Sequence, residues 1–522
     1  MRKGLLGSIA ALAAGAGAAW GQSPIVPASM GDPPPPAAVA RAGDVIPVQG
    51  PGDAGGLFRP SGPAPVIMPP LGVGPGGDPQ GLGPVGGFGP PPGPMYPNPG
   101  PYGAPTFQPG PPAPGNGGSY GAAPHWWTTA DFLLYFAKGQ PANFPLLTTS
   151  APSDRGLVGR PSTLVLAGGQ DLSYNPIGGF RVAAGFFGDA DRRWGFEASG
   201  TVFEHKTNVV DIASSPVSIP TLARPFIDST NVRLLTSQVI ANPNFGSARA
   251  VIGTSNQTFW VDATGIVNLY RSEPGCKHAC SLDFLWGYRY LQLTEDLEMH
   301  TSTSLNSPGT TTPVFAVGPF GVLTQVGTTV VPAAVPFGGV TISSPATVVV
   351  YDQFKVTNRF NGGQVGLRGE ARSGMFTFAS TVKLSFGDMN QRLEITGLSG
   401  YTDLTRPLAN GLPNTGNAYG GLYANASNIG RYNHDEFAFI PEINLNLGLN
   451  VTRGITAYLG YNFMYINNVA RPADQLNPVV NSATVPTNAN YGALNRPIVP
   501  KQLFNQDEFY LMGVNFGLTM RY

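Results

Sequence analysis

Tyr510-Leu511-Met512-Gly513-Val514-Asn515-Phe516-Gly517-Leu518-Thr519-Met520-Arg521-Tyr522 ends the chain, and its two interleaved rows decide the fold class. Tyr510, Met512, Val514, Phe516, Leu518, Met520 and Tyr522 make one apolar row. Leu511, Gly513, Asn515, Gly517, Thr519 and Arg521 make a second row that is mostly small or polar. Successive side chains of a strand point to opposite faces, so the segment predicts a wall with lipid on one side and a hydrated lumen on the other. A soluble antiparallel sheet can show the same alternation with its apolar row turned into a core. One strand does not separate the two.

Repetition does. Ile443, Leu445, Leu447, Leu449 and Val451 alternate with Glu442, Asn444, Asn446, Gly448 and Asn450. Leu282, Phe284, Trp286, Tyr288 and Tyr290 alternate with Ser281, Asp283, Leu285, Gly287 and Arg289, and Ile455 to Tyr465 and Phe376 to Phe386 behave alike. Large side chains share one face, while the other carries glycines and charges. A sandwich core would want branched bulk there and fewer paired aromatics.

Composition agrees with a membrane wall built from strands. Only 11% of residues are charged, and 30 basic side chains balance 30 acidic ones, so the chain has no basic footprint for nucleic acid. Beyond the N-terminus, no run approaches the ~18 uncharged apolar residues of a spanning helix.

The N-terminus predicts export. Arg2 and Lys3 precede an apolar stretch to Ala19, and Ala19-Trp20-Gly21 presents small residues at a signal-peptidase site, which places cleavage after Gly21 and a signal peptide over 1–21. From Gly31 to Tyr120, 49 of 90 residues are Pro or Gly. Such a chain buries too little apolar surface to offset its ordering entropy, so 22–124 is expected to be a disordered periplasmic linker, followed by a barrel over 125–522.

Ten strands are expected, near 126–136, 174–187, 193–206, 258–270, 280–296, 351–372, 375–396, 433–451, 454–468 and 507–522. Short connections alternate with long ones, the pattern of periplasmic turns and extracellular loops, and an even count leaves both termini in the periplasm. Residues 301–350 carry no charge. They are expected to fold inward over the lumen or to extend the sheet, and a hairpin hidden there would raise the count to twelve.

Trp126-Trp127-Thr128-Thr129-Ala130-Asp131-Phe132-Leu133-Leu134-Tyr135, Gly179-Phe180-Arg181, Trp194-Gly195-Phe196-Glu197 and Leu282-Asp283-Phe284-Leu285-Trp286-Gly287-Tyr288-Arg289-Tyr290, with the terminal strand, the signal and the Pro/Gly-rich arm, resemble the beta-barrel porin-7 family of planctomycete outer-membrane proteins. The resemblance runs from about Trp126 to Tyr522. It implies an all-β, up-and-down transmembrane barrel in the outer membrane and brings no catalytic residues with it.

The function expected is a porin-like channel for ions or small solutes. The alternative is a structural or surface-interaction barrel with a closed lumen and functional extracellular loops. Asp131, Arg181, Glu197, Asp262, Asp283, Arg289, Arg368, Glu370, Lys383, Glu442 and Arg521 all fall on the inward rows. Such a mixed set either lines a small hydrated pore or ties a narrow interior together with ion pairs. An oxidising compartment favours a disulfide between Cys276 and Cys280. With His278 they offer a metal three ligands where zinc wants about four, so no metal and no cofactor are expected. No Gly-x-Ser-x-Gly, His-Glu-x-x-His or phosphate loop occurs, and the chain is not expected to be an enzyme. The partners expected are the lipid bilayer and the barrel-assembly machinery, engaged through the last strand ending at Tyr522, with a homo-oligomer left open and no nucleic acid.

Overall fold

The computed structural model describes residues 125–215, 217–230, 234–272, 278–306, 310–317, 323–493 and 498–522. The export signal, the linker and Cys276 lie outside the described residues.

Ten strands follow one another round a ring: β1 (Trp126–Ala137), β2 (Ile177–Phe187), β3 (Trp194–Phe203), β4 (Ser247–Arg271), β5 (His278–Leu305), β6 (Ala346–Ser373), β7 (Phe376–Asp403), β8 (Gly430–Asn450), β9 (Ile455–Ala470) and β10 (Gln506–Arg521). Each pairs antiparallel with the next. The ring closes where β10 returns to β1, with Trp127 opposite Arg521 and Ala137 opposite Leu511. Closure removes the unpaired edges that an open sheet would expose to lipid. All ten expected strands are present, in the expected order.

Twelve is not the count. Among the described residues, Thr310–Val317 pairs only with Leu323–Val331, and Ala334–Phe337 only with Val340–Ser343, both outside the ring. Instead β5 and β6 run on to Leu305 and from Ala346, so much of the uncharged 301–350 stretch extends the sheet. Among its described residues, Leu305, Phe337, Ile342, Ala346 and Val348 form a separate small core.

Short turns gather at one end and long connections at the other. Ser373 and Phe376 are joined by two residues, and Gly374 has φ +59, a value that only glycine adopts cheaply and that a two-residue hairpin of this kind requires in its first position.

The outward row changes character along each long strand. On β5 it reads Leu282, Phe284, Trp286, Tyr288, Tyr290 and then Gln292, Thr294, Asp296, Glu298, His300. Tyr290 stands opposite Asn361, Asn361 opposite Asp388, and Asp388 opposite Phe437, so the change falls at one height across four strands. The apolar stretch below it matches the about 9–11 residues that a tilted strand needs to cross a bilayer. Trp126, Phe186 and Phe196 stack at the short-turn edge of the belt, with ring centroids 5.0 and 6.5 Å apart.

The inward row changes in the opposite sense at the same height. Below lie Asp283 and Arg289; above lie Leu291, Leu293, Leu297 and Met299, all buried. The barrel is thus inverted within the belt, apolar outside and polar inside, and has the ordinary arrangement of a soluble protein above it.

Candidate functional site

All eleven charges expected on the inward rows face the lumen, and every one has an opposite charge within reach. Asp131 receives Arg181 Nε at 2.7 Å, the Asn515 amide at 3.2 Å and the Tyr458 hydroxyl. Arg289 holds Asp262 with Nε at 2.7 Å and Nη2 at 2.9 Å, and reaches Glu442 at 2.5 Å. Lys383 Nζ joins Asp262 at 3.4 Å. Arg368 binds Glu197 at 2.6 Å, and Trp127 Nε1 donates to the same carboxylate at 2.9 Å. Asp283 accepts from the Asn268 amide at 2.6 Å and lies 4.0 Å from Arg271. Glu370 takes Arg521 at 2.9 Å and also Arg372.

These pairs cross the lumen. Arg289 to Glu442, Lys383 to Asp262 and Arg368 to Glu197 each join strands three places apart round the ring, and Arg521 to Glu370 joins strands four apart. In a ring of ten, five places is directly opposite, so these are struts rather than neighbour contacts. Beside them Asn446, Asn444, Asn462 and Asn515 link β8, β9 and β10 in a ladder of amides, with Asn462 to Asn515 at 2.7 Å. Gly460 makes room for it: a Cβ there would sit 1.9 Å from the Asn446 amide oxygen.

Directly above the struts lies an apolar septum. Leu133, Ile177, Phe203, Trp260, Leu291, Phe360, Met389, Ile440, Met464 and Phe509 belong to one buried cluster. Each comes from a different strand of the ring, and none is more than 3% exposed.

The long connections enter the barrel above the septum. Arg471, fully buried, gives Nε to Glu295 of β5 at 2.5 Å and Nη2 at 2.9 Å, and caps the carbonyls of Lys138 and Gly139 at 3.0 Å. Tyr174 donates to Glu295 at 2.7 Å, and Gln140 to Tyr174 at 2.6 Å. Burial pushes the Tyr174 hydroxyl well above its ordinary pKa, which keeps it a donor. Burial alone would lower the Arg471 guanidinium, but Glu295 holds it above its usual value.

Asp352 of β6 anchors two further connections. It pairs with Arg224 at 2.8 Å and accepts the backbone N–H groups of Tyr423 at 2.9 Å and Ala424 at 2.7 Å. Pro145–Ser150, Leu164–Gly168, Thr221–Asp228, Leu234–Ala241 and Val479–Val480, drawn from three connections, assemble into one small sheet. Leu147, Leu222 and Val480 of that sheet share a core with Ile252, Leu297, Phe354 and Leu393 of the wall.

With this geometry in view, the family is decided by a match of residues 127–317 and 339–522 to the model described as Putative beta barrel porin-7. The chain belongs to that family. It is an outer-membrane β-barrel, as the family and the lipid-height belt both require. No curated protein matches it. Among solved structures, the outer membrane protease OmpT from Escherichia coli aligns at 12% identity over 76% of this chain and 97% of its own, with a TM-score of 0.30. The toluene transporter TodX of P. putida aligns at 8% identity over 76% of this chain and 90% of its own, TM-score 0.19. A FadL homologue of Pseudomonas aeruginosa aligns at 6% over 77% and 90%, TM-score 0.19. Identity this low transfers no activity.

The remaining site candidates are not brought together. Cys280 lies in β5, exposed on the outward row with Leu282, and its expected partner Cys276 lies outside the described residues. His434 Nε2 sits 2.9 Å from Glu436 on the inward row, while Asp435 turns outward to the Asn390 amide at 2.6 Å. Sequence reasoning missed Glu295, Asp352, Arg224 and Arg471. Glu295 and Asp352 did carry a signal, as lone acids in otherwise apolar inward rows.

Proposed function

We propose that this barrel is closed to diffusion and works through its crown of long connections, which face the outside of the cell, while the short turns and the N-terminal linker face the periplasm. The septum carries this reading, because ten large apolar side chains, one per strand, are buried in one cluster, and an ion passing between them would give up its hydration without polar partners. The struts below it add to the argument, since a solute would have to separate buried pairs such as Arg289 and Asp262. The protein so read is a structural or surface-interaction barrel, non-catalytic, and inserted by the barrel-assembly machinery through β10.

Planar-bilayer recording of the purified, folded protein tests it. No stepwise current is expected across ±100 mV; reproducible steps would overturn the closed lumen. The second reading, a porin-like channel for ions or small solutes, is favoured by the description of the family. It requires the septum and the Arg471 anchor to move together.

Orientation has its own test. Protease added to intact cells should cut within the long connections and spare the Pro/Gly-rich linker. Clipping of the linker first would invert the barrel.

A further inference from the structure

The crown holds a half-open cavity of about 500 Å³ to which all five long connections contribute: Arg155 from the first, Phe226 and Phe245 from the second, Pro336 from the third, Leu422 from the fourth and Val485 from the fifth. No residue of the apolar belt lines it. The volume falls within the about 300–1,000 Å³ of small-molecule sites.

Half of its lining residues are apolar and half are polar. Phe226 and Phe245 supply aromatic faces, Gln238, Asn242, Asn244 and Asn488 supply side-chain amides, and Thr236 and Ser237 supply hydroxyls. The charged lining is one Arg and one Asp, Arg155 and Asp228, so the cavity favours neither an anion nor a cation. Gln238 donates its amide N–H to Thr487 at 2.6 Å, which ties the second and fifth connections together at the cavity wall. Amides beside aromatic faces, with no net charge, suit a ligand that has both hydroxyl edges and apolar C–H faces.

We propose that the cavity binds a neutral saccharide of one or two sugar units, its hydroxyls meeting the side-chain amides that line the cavity, Asn244 among them, and its C–H faces the aromatic rings. This rests on the crown being the working end of the barrel.

The test is calorimetric titration of the folded full chain in a detergent without a sugar headgroup. Cellobiose and N,N′-diacetylchitobiose serve as neutral probes, glucuronic acid as the charged control and toluene as the apolar one. At least one neutral disaccharide should bind more tightly than about 1 mM, and the two controls should not. Gln238→Leu, which removes the tie to Thr487 at the cavity wall, should weaken binding at least threefold. Asn244→Ala, at an exposed position, should weaken it at least threefold with the melting temperature unchanged. Failure of both disaccharides, binding of a control in their place, or wild-type affinity in both variants would overturn the proposal. A barrel that conducts yet binds sugar would sink the closed-lumen reading and leave the cavity standing; a silent barrel without sugar binding would do the reverse.

Discussion

Replacing Arg471 with Met should destabilise the folded barrel by about 3–5 kcal/mol, the cost of leaving a buried carboxylate without its partner. Arg471 and Glu295 both have fully buried side chains, and the guanidinium also caps two backbone carbonyls at 3.0 Å. Glu295 would keep only the Tyr174 hydroxyl and a long contact from the Asn256 amide at 3.4 Å. Arg471 also stacks over Phe509, 5.1 Å from its centroid, so the connection after β9 should lose its seat against the wall. Urea unfolding from lipid vesicles gives the free energy, and limited proteolysis should show new cuts between 472 and 505. The double variant Glu295→Leu with Arg471→Met should recover much of the loss, because apolar replacement of a whole buried pair is often close to neutral. A double variant no better than the single one would mean that the anchor stabilises by shape and backbone capping and not by charge pairing.

The second large effect lies on the outer face. Ile443 sits in the outward row of β8 between Phe437 and Leu449, opposite Val382 of β7 and Phe463 of β9. An arginine there faces mid-bilayer hydrocarbon and should cost about 2–4 kcal/mol. Asn433 lies on the same strand and the same row but above the belt, where it pairs with Arg392, and Asn433→Arg should cost about 0–1 kcal/mol. Folding titrations into vesicles measure both. Equal costs would show that the belt has been placed at the wrong height, and the reverse order would require the strand to be inverted. Asn446, one of the inward residues, makes a poor control because the amide ladder and Gly460 leave no room for a longer side chain.

The strands were legible because alternation is a local property. Phe284, Trp286 and Tyr288 must share a face whatever the rest of the chain does, since the side-chain period of a strand is two. The same rule put Asp262, Arg289 and Glu442 in the lumen without any knowledge of their partners. The septum and the core above it were also written in the chain and went unread: beyond Tyr290 the alternation continues through Leu291, Leu293, Leu297 and Met299, but in the opposite sense. A strand whose apolar row changes face partway along has left the bilayer and entered a protein core, which is why β5, β6 and β7 are 28 residues long where a crossing alone would need far fewer.

Sequence by itself determined the class, the ten strands, their order and which side chains face inward, because each follows from local periodicity and from the need to close every backbone hydrogen bond in lipid. It left open whether the inward charges line a pore or brace the interior. Tertiary structure decided that every one of them has a partner, through contacts such as Arg289 to Glu442 and Arg521 to Glu370 between strands far apart in the chain. It also decided that connections rich in Pro, Gly, Asn and Thr fold into a core of their own, anchored by Glu295 and Asp352. Ion pairing and loop packing depend on separations of a few ångströms between residues up to hundreds of positions apart, and those separations are set by the closure and stagger of the ring, which no local pattern specifies.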